Sequence, residues 1–124
     1  MIKSKIMKIL NENYKFKKII YKGIEIIYFN NDTMLVIISN KKNVFKISRE
    51  QFIKIDDELL PYAFLLIDET TEELYFMQYK EPNNQLRYSF EKTAKNEIYF
   101  GKEILQNKIG LEDLKRKINY IEKI

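Results

Sequence analysis

Residues 34–43 read MLVIISNKKN, and the fold turns on how this stretch is assigned. Met34 through Ile38 are apolar without interruption, the pattern of a buried strand. Ser39-Asn40-Lys41-Lys42 then carries the chain into a polar, basic turn. On the upstream side, NND at 30–32 is turn chemistry, and Ile24 to Phe29 reads as the preceding strand. Lys22-Gly23 is another turn, with a strand from Tyr14 to Tyr21 before it. Ile2, Ile6, Ile9 and Leu10 recur at helical spacing, so an amphipathic helix opens the chain and ends by Asn13.

Downstream, Val44 to Ile47 is a short strand. Ser48-Arg49-Glu50-Gln51 has capping-box spacing, so Ser48 starts a helix. Phe52 and Ile55 take its inward side, with Leu59 next, and Pro61 stops it. Strands follow at Tyr62 to Ile67, Leu74 to Tyr79, Leu86 to Phe90 and Ile98 to Phe100. DETTEE, EPNNQ and KTAKN connect them. Ile104, Leu105 and Ile109 form a helical apolar set that Gly110 ends. Leu111, Leu114, Ile118 and Ile121 then repeat at 3, 4, 3 spacing, with Glu112 and Asp113 in the first turn and Lys115, Arg116 and Lys117 later, as the helix dipole favours. The expected fold class is α+β. One domain over residues 1–124 holds an antiparallel β meander packed by an N-terminal, a central and a C-terminal helix.

Composition narrows the chemistry. With no Cys and no His, disulfides, thiolate nucleophiles, His-dependent triads and the commonest zinc ligands are excluded. What survives is carboxylate chemistry with Mg²⁺ or Mn²⁺, or acid–base work by Lys and Tyr. Only three Gly occur, and they cannot form a P-loop or a dinucleotide fingerprint. No apolar run approaches the roughly 18 residues of a membrane span. The N-terminus lacks an apolar signal core, so a soluble cytoplasmic protein with no membrane partner is expected. Abundant Ile, Lys, Asn and Tyr fit AT-rich coding, as in a low-GC bacterium or its phage. Charge is uneven: residues 1–22 carry seven Lys and one Glu, net +6, whereas residues 49–81 carry net −6. Such asymmetry suits a charged partner or self-association of opposite faces.

Candidate sites follow from these patterns. The stretch NYKFKKIIYK, residues 13–22, interleaves Lys15, Lys17, Lys18 and Lys22 with Tyr14, Phe16 and Tyr21. Cations for phosphate and rings for stacking are what nucleic-acid binders use. Lys41 and Lys42 in the basic turn, and Arg87-Tyr88 across the sheet, complete the candidate nucleic-acid-binding set. A half-buried edge strand kept soluble by its lysines accounts for the same pattern. The acidic cluster Asp68, Glu69, Glu72 and Glu73 lacks calcium-loop spacing and reads as a solvated connection, so no metal residue is assigned. GLEDLKRKINY, residues 110–120, suits a packing helix, a homo-oligomer seam or a helix-turn-helix.

The order helix, strands, helix, strands, together with PYAFLLIDETTEELYFMQYKEP at 61–82, resembles the PD-(D/E)xK nuclease core. That resemblance implies two carboxylates on Mg²⁺ and a lysine that steadies the attacking water. Glu25 or Asp32 would supply the first carboxylate. The Glu-x-Lys element would fall on Ser39-Asn40-Lys41, where serine replaces the carboxylate. The resemblance therefore implies a degenerate domain, with no catalytic residue and no cofactor. Three functional readings follow. The first is a small non-enzymatic binding protein acting on nucleic acid or a nucleic-acid-bound protein. The second is an anti-defence inhibitor or oligomeric module directed at a host protein or small ligand. The third is a Mg-dependent nuclease with a displaced carboxylate.

Overall fold

Met34–Asn40 forms a strand, β3, whose residues 34–38 are buried on both faces. In the computed structural model, which describes residues 1–42, 44–79, 96–100 and 106–121, three elements precede it: α1 (Ile2–Asn13), β1 (Phe16–Tyr21) and β2 (Ile24–Phe29). After it come β4 (Lys46–Ser48), α2 (Arg49–Asp56), β5 (Tyr62–Asp68), β6 (Glu73–Tyr79), β7 (Glu97–Tyr99) and β8 (Lys108–Ile109). A 3₁₀ turn (Leu111–Asp113) and α3 (Leu114–Asn119) follow. The fold is α+β. Six strands form one mixed sheet in the order β1-β2-β3-β5-β6-β8, and β4 pairs with β7 in a small second sheet.

The unbroken apolar text of β3 has a direct cause. Alternate side chains of a strand point to opposite faces, and here both faces carry a core. Met34, Val36 and Ile38 pack with Phe45 just before β4, Ile47 of β4, and Phe52 and Ile55 of α2. Leu35 and Ile37 pack with Ile6 and Leu10 of α1 and Leu114 and Ile118 of α3. β5 is built the same way, with Phe64 and Leu66 on one side and Leu65 and Ile67 on the other. The two strands pair in parallel from Met34↔Tyr62 to Asn40↔Asp68. A parallel neighbour requires a crossover rather than a hairpin, and β4 with α2 supplies it. The expected antiparallel meander therefore holds for β1–β2–β3 and for β5–β6, and the crossover joins these two halves.

Local chemistry sets the joints. Lys22 and Gly23 have φ of 46° and 90°, the left-handed pair that a two-residue hairpin needs. Ser48 Oγ accepts from the Gln51 backbone N–H at 3.1 Å, and the Gln51 side chain accepts from the Ser48 N–H at 2.8 Å. The expected capping box is thus present. The Gln51 amide also donates to the Lys22 carbonyl at 2.6 Å, tying α2 to the β1–β2 turn. Asp68 Oδ1 accepts from the backbone N–H groups of Thr70 and Thr71 at 3.0 and 3.2 Å, closing the β5–β6 turn. Its carboxylate is part of that turn.

Three expectations change. Leu59 does not continue the inward side of α2: the helix ends at Asp56, and Leu59 is 85% exposed with φ of 55°. Ile109 is not helical, because β8 pairs it with Leu74 and so covers the edge of β6. The short strand after the basic turn begins at Lys46, leaving Val44 exposed. Ile104, Leu105 and the strand expected at Leu86 to Phe90 lie outside the described residues.

α3 uses its apolar seam within the chain's own core. Leu114, Ile118 and Ile121 are buried beside α1, and Tyr14 donates to Asn119 Oδ1 at 2.8 Å. Burial of each such side chain contributes about 1.5–3 kcal/mol. We expect Leu114→Ala, at a position with no exposure, to lower stability in denaturant titrations by about 2–5 kcal/mol, cavity cost included. A loss of oligomeric mass with unchanged stability would make the helix an interface. Tyr28 and Tyr75 are both pushed up to about 12, first by burial and then by hydrogen bonding to Glu58 and Glu73. The folded state thus holds these protons more tightly than the unfolded chain does, so stability should fall as pH rises from about 10 to about 12. Tyrosinate absorbance should show two late titrations in the folded protein, and a single unperturbed titration would contradict this.

Candidate nucleic-acid interface

The lysines of residues 1–22 fall on two adjoining elements. α1 buries Ile2, Ile6 and Leu10 against the sheet, which turns Lys5 and Lys8 outward. β1 is the first strand of the sheet and, among the described residues, pairs only with β2, so no described strand covers its other edge. Between them runs an open groove of about 720 Å³, whose charged lining is Lys3, Lys8 and Glu12 from α1, Lys18 from β1 and Glu25 from β2. Lys3 borders the buried stripe of α1, Lys8 stands on the outward wall of the groove, and strand alternation turns Lys18 towards the helix.

The candidate residues are only partly brought together. Lys17 and Lys18 stand on opposite faces of β1 but on the same open edge. Lys15 sits just before the strand, beside a small cavity of about 210 Å³ lined by Asn13, Tyr14, Asn30 and Asn119. Lys22 is drawn the other way, into an ion pair with Glu50 at 3.0 Å that raises its pKa. Lys41 and Lys42 lie at the C-terminal end of β3 and do not line the groove. The Lys41 carbonyl accepts from Thr70 Oγ1, which ties this turn to the acidic β5–β6 turn. Arg87 and Tyr88 lie outside the described residues.

The rings of NYKFKKIIYK are committed elsewhere. Tyr14 and Phe16 pack on Phe29, with ring centroids 5.1 and 6.4 Å away. Tyr21 packs against the α2-side core, with the Lys54 ammonium 5.9 Å from its ring centroid. They are not presented for base stacking. What the segment presents is charge: Lys5, Lys8, Lys15, Lys17 and Lys18 make no ion pair with a described residue. By contrast, Lys46, Lys54, Lys108 and Arg116 each meet a carboxylate. Lys3 and Lys8 were absent from the sequence-based set. The density of lysine in residues 1–22 was their one signal, and the packing of α1 against β1 is what gives them a place.

Glu25 is the buried carboxylate of the groove. Its residue is 9% exposed, and Oε1 pairs with the Lys3 ammonium. Oε2 has no hydrogen-bond partner among the described residues. The cross-strand neighbour of Glu25 is Ile37, and Ser39 follows on the same face. Asp32, past the other end of β2, occupies a turn with φ of 64°. At roughly 3.3 Å per strand residue, Glu25 and Asp32 cannot share one ion. Among the described residues, no three Asp or Glu side chains are grouped to hold a metal. No protein-family model matches the chain, and a search of curated proteins finds no match.

Proposed function

We propose that this chain is a small non-enzymatic binding protein whose α1–β1 face takes the phosphate backbone of a nucleic acid. The observation that carries this reading is the convergence of Lys3, Lys8 and Lys18 on one open groove, with Lys15 and Lys17 along the same edge. Lys8, Lys15, Lys17 and Lys18 have no carboxylate partner among the described residues; such cations attract a polyanion, and the gain comes mainly from counterion release. Because Tyr14, Phe16 and Tyr21 are packed, affinity would rest on phosphates rather than on ring stacking. Lysine also discourages two β1 edges from pairing with each other, which suits a protein that keeps this edge for another molecule.

A degenerate nuclease-like domain is compatible with this reading. The order α1, β1–β3, α2, β5 supports it, as does the parallel β3–β5 pair. The chemistry does not favour cleavage, since Ser39 stands where the second carboxylate of a Glu-x-Lys element would be needed, although Lys41 holds the lysine position.

Two outcomes follow. A labelled oligonucleotide should bind at low salt, with affinity falling steeply as salt rises. Replacing Lys15, Lys17 and Lys18 with Gln should weaken binding and flatten the log–log salt slope by roughly one unit per lost contact. The melt should shift little, because these side chains are exposed. Absence of binding by the parent at low salt would remove the reading. Plasmid, single-stranded DNA and RNA should stay intact in Mg²⁺ or Mn²⁺, whereas cleavage that Glu25→Ala abolishes would restore the nuclease.

A further inference from the structure

The open edge of β1 offers more than charge. The Asn30 N–H donates to the Lys15 carbonyl at 3.2 Å, which marks Lys15 as a residue whose backbone faces β2. In an antiparallel pair this orientation alternates. Lys17, Ile19 and Tyr21 therefore also face β2, and Phe16, Lys18 and Ile20 turn their N–H and C=O groups outward. No described residue pairs with that side. Ile20 is 69% exposed there. It lies on the same strand face as Lys18, and Lys18 shares the groove with Met7 and Glu25.

These features ask for different groups on a ligand. The lysines ask for phosphate. Glu25 Oε2 is buried without a described partner, and an ionised carboxylate only accepts hydrogen bonds. A phosphate repels it, so what satisfies it is an N–H donor. The outward N–H and C=O groups of Lys18 and Ile20 offer a donor and an acceptor side by side. The exposed Ile20 and partly buried Met7 offer an apolar contact for a flat ring. A phosphate backbone with unpaired base edges meets all of these requirements. A duplex offers phosphates and major-groove amino donors, but its rings are stacked and its pairing edges used, so it has no free ring face for Ile20 and Met7 and no unpaired base edge for the outward backbone groups.

We propose that the α1–β1 groove takes single-stranded nucleic acid, with a base edge donating to Glu25 while flanking phosphates lie on Lys8 and Lys18. The proposal rests on the nucleic-acid reading above and adds the strandedness of the ligand. The Lys3 ammonium keeps Oε1 while the base N–H takes Oε2, so both carboxylate oxygens then have a donor.

The test measures fluorescence anisotropy of one labelled DNA strand, alone and annealed to its complement, at low and physiological salt. The parent should bind the single strand about tenfold more tightly or better, the worth of one hydrogen bond to a charged group. Glu25→Ala should shrink that ratio, and Lys18→Gln should weaken both forms and leave the ratio standing. Ile20→Glu, at an exposed position where the fold is insensitive, should lower single-strand binding more than duplex binding. Equal, salt-dependent binding of both forms by the parent would overturn the inference and leave the nucleic-acid reading intact. A ratio that survives both Glu25→Ala and Ile20→Glu would overturn the assigned contacts. No binding of either form at low salt would overturn the reading and the inference together.

Discussion

The parallel pairing of β3 with β5 is the constraint on which the rest of the molecule depends. Both strands are apolar on both faces, so each face must be covered. The parallel direction forces a crossover, and the crossover provides one cover, α2 with β4. The other cover has to come from the ends of the described chain, and α1 and α3 provide it together. Residues at opposite ends of the sequence thus meet over one sheet face, joined by Tyr14 to Asn119. Loss of apolar volume in α3 loosens the layer that also seats α1, and with it the groove.

This arrangement sorts charge. On the α2 side, cations find carboxylates: Lys22 with Glu50, Lys46 with Glu97 and Lys54 with Glu58. Exposed pairs of this kind contribute little to stability, so their significance lies in the surface potential. They neutralise one side. On the α1–β1 side the lysines outnumber their partners, and the low-lying Glu25 engages only Lys3. Part of the net positive segment, Lys3, Lys8 and Lys18, meets in one groove because α1 lies alongside β1.

Glu25 links the structural and functional readings. It sits on the α1 face of a central strand, between the apolar Ile27 and the ammonium of Lys3. Its cross-strand neighbour is Ile37, and among the described residues no group of three acidic side chains is placed to hold a metal. Glu25 retains one oxygen with no described partner, and burying such an atom costs free energy.

Much of the fold was legible in the residues themselves. The capping box at Ser48, the Lys22-Gly23 turn, the α1 stripe and the strands at 24–29 and 62–68 follow from local chemistry: caps, left-handed turn residues and period. Leu59 and Ile109 were misread because helical spacing continued on paper past the point where backbone geometry ended the helix or paired it as strand. The sequence by itself determined an α+β chain, its basic N-terminal segment and the absence of thiol and imidazole chemistry. Tertiary structure alone decided that β3 and β5 run parallel, that the aromatic rings of residues 14–21 turn inward, and that Lys3, Lys8 and Lys18 share a groove with Glu25. The physical reason is that strand direction and facing depend on which distant apolar faces cover each other, and no local pattern records that partner.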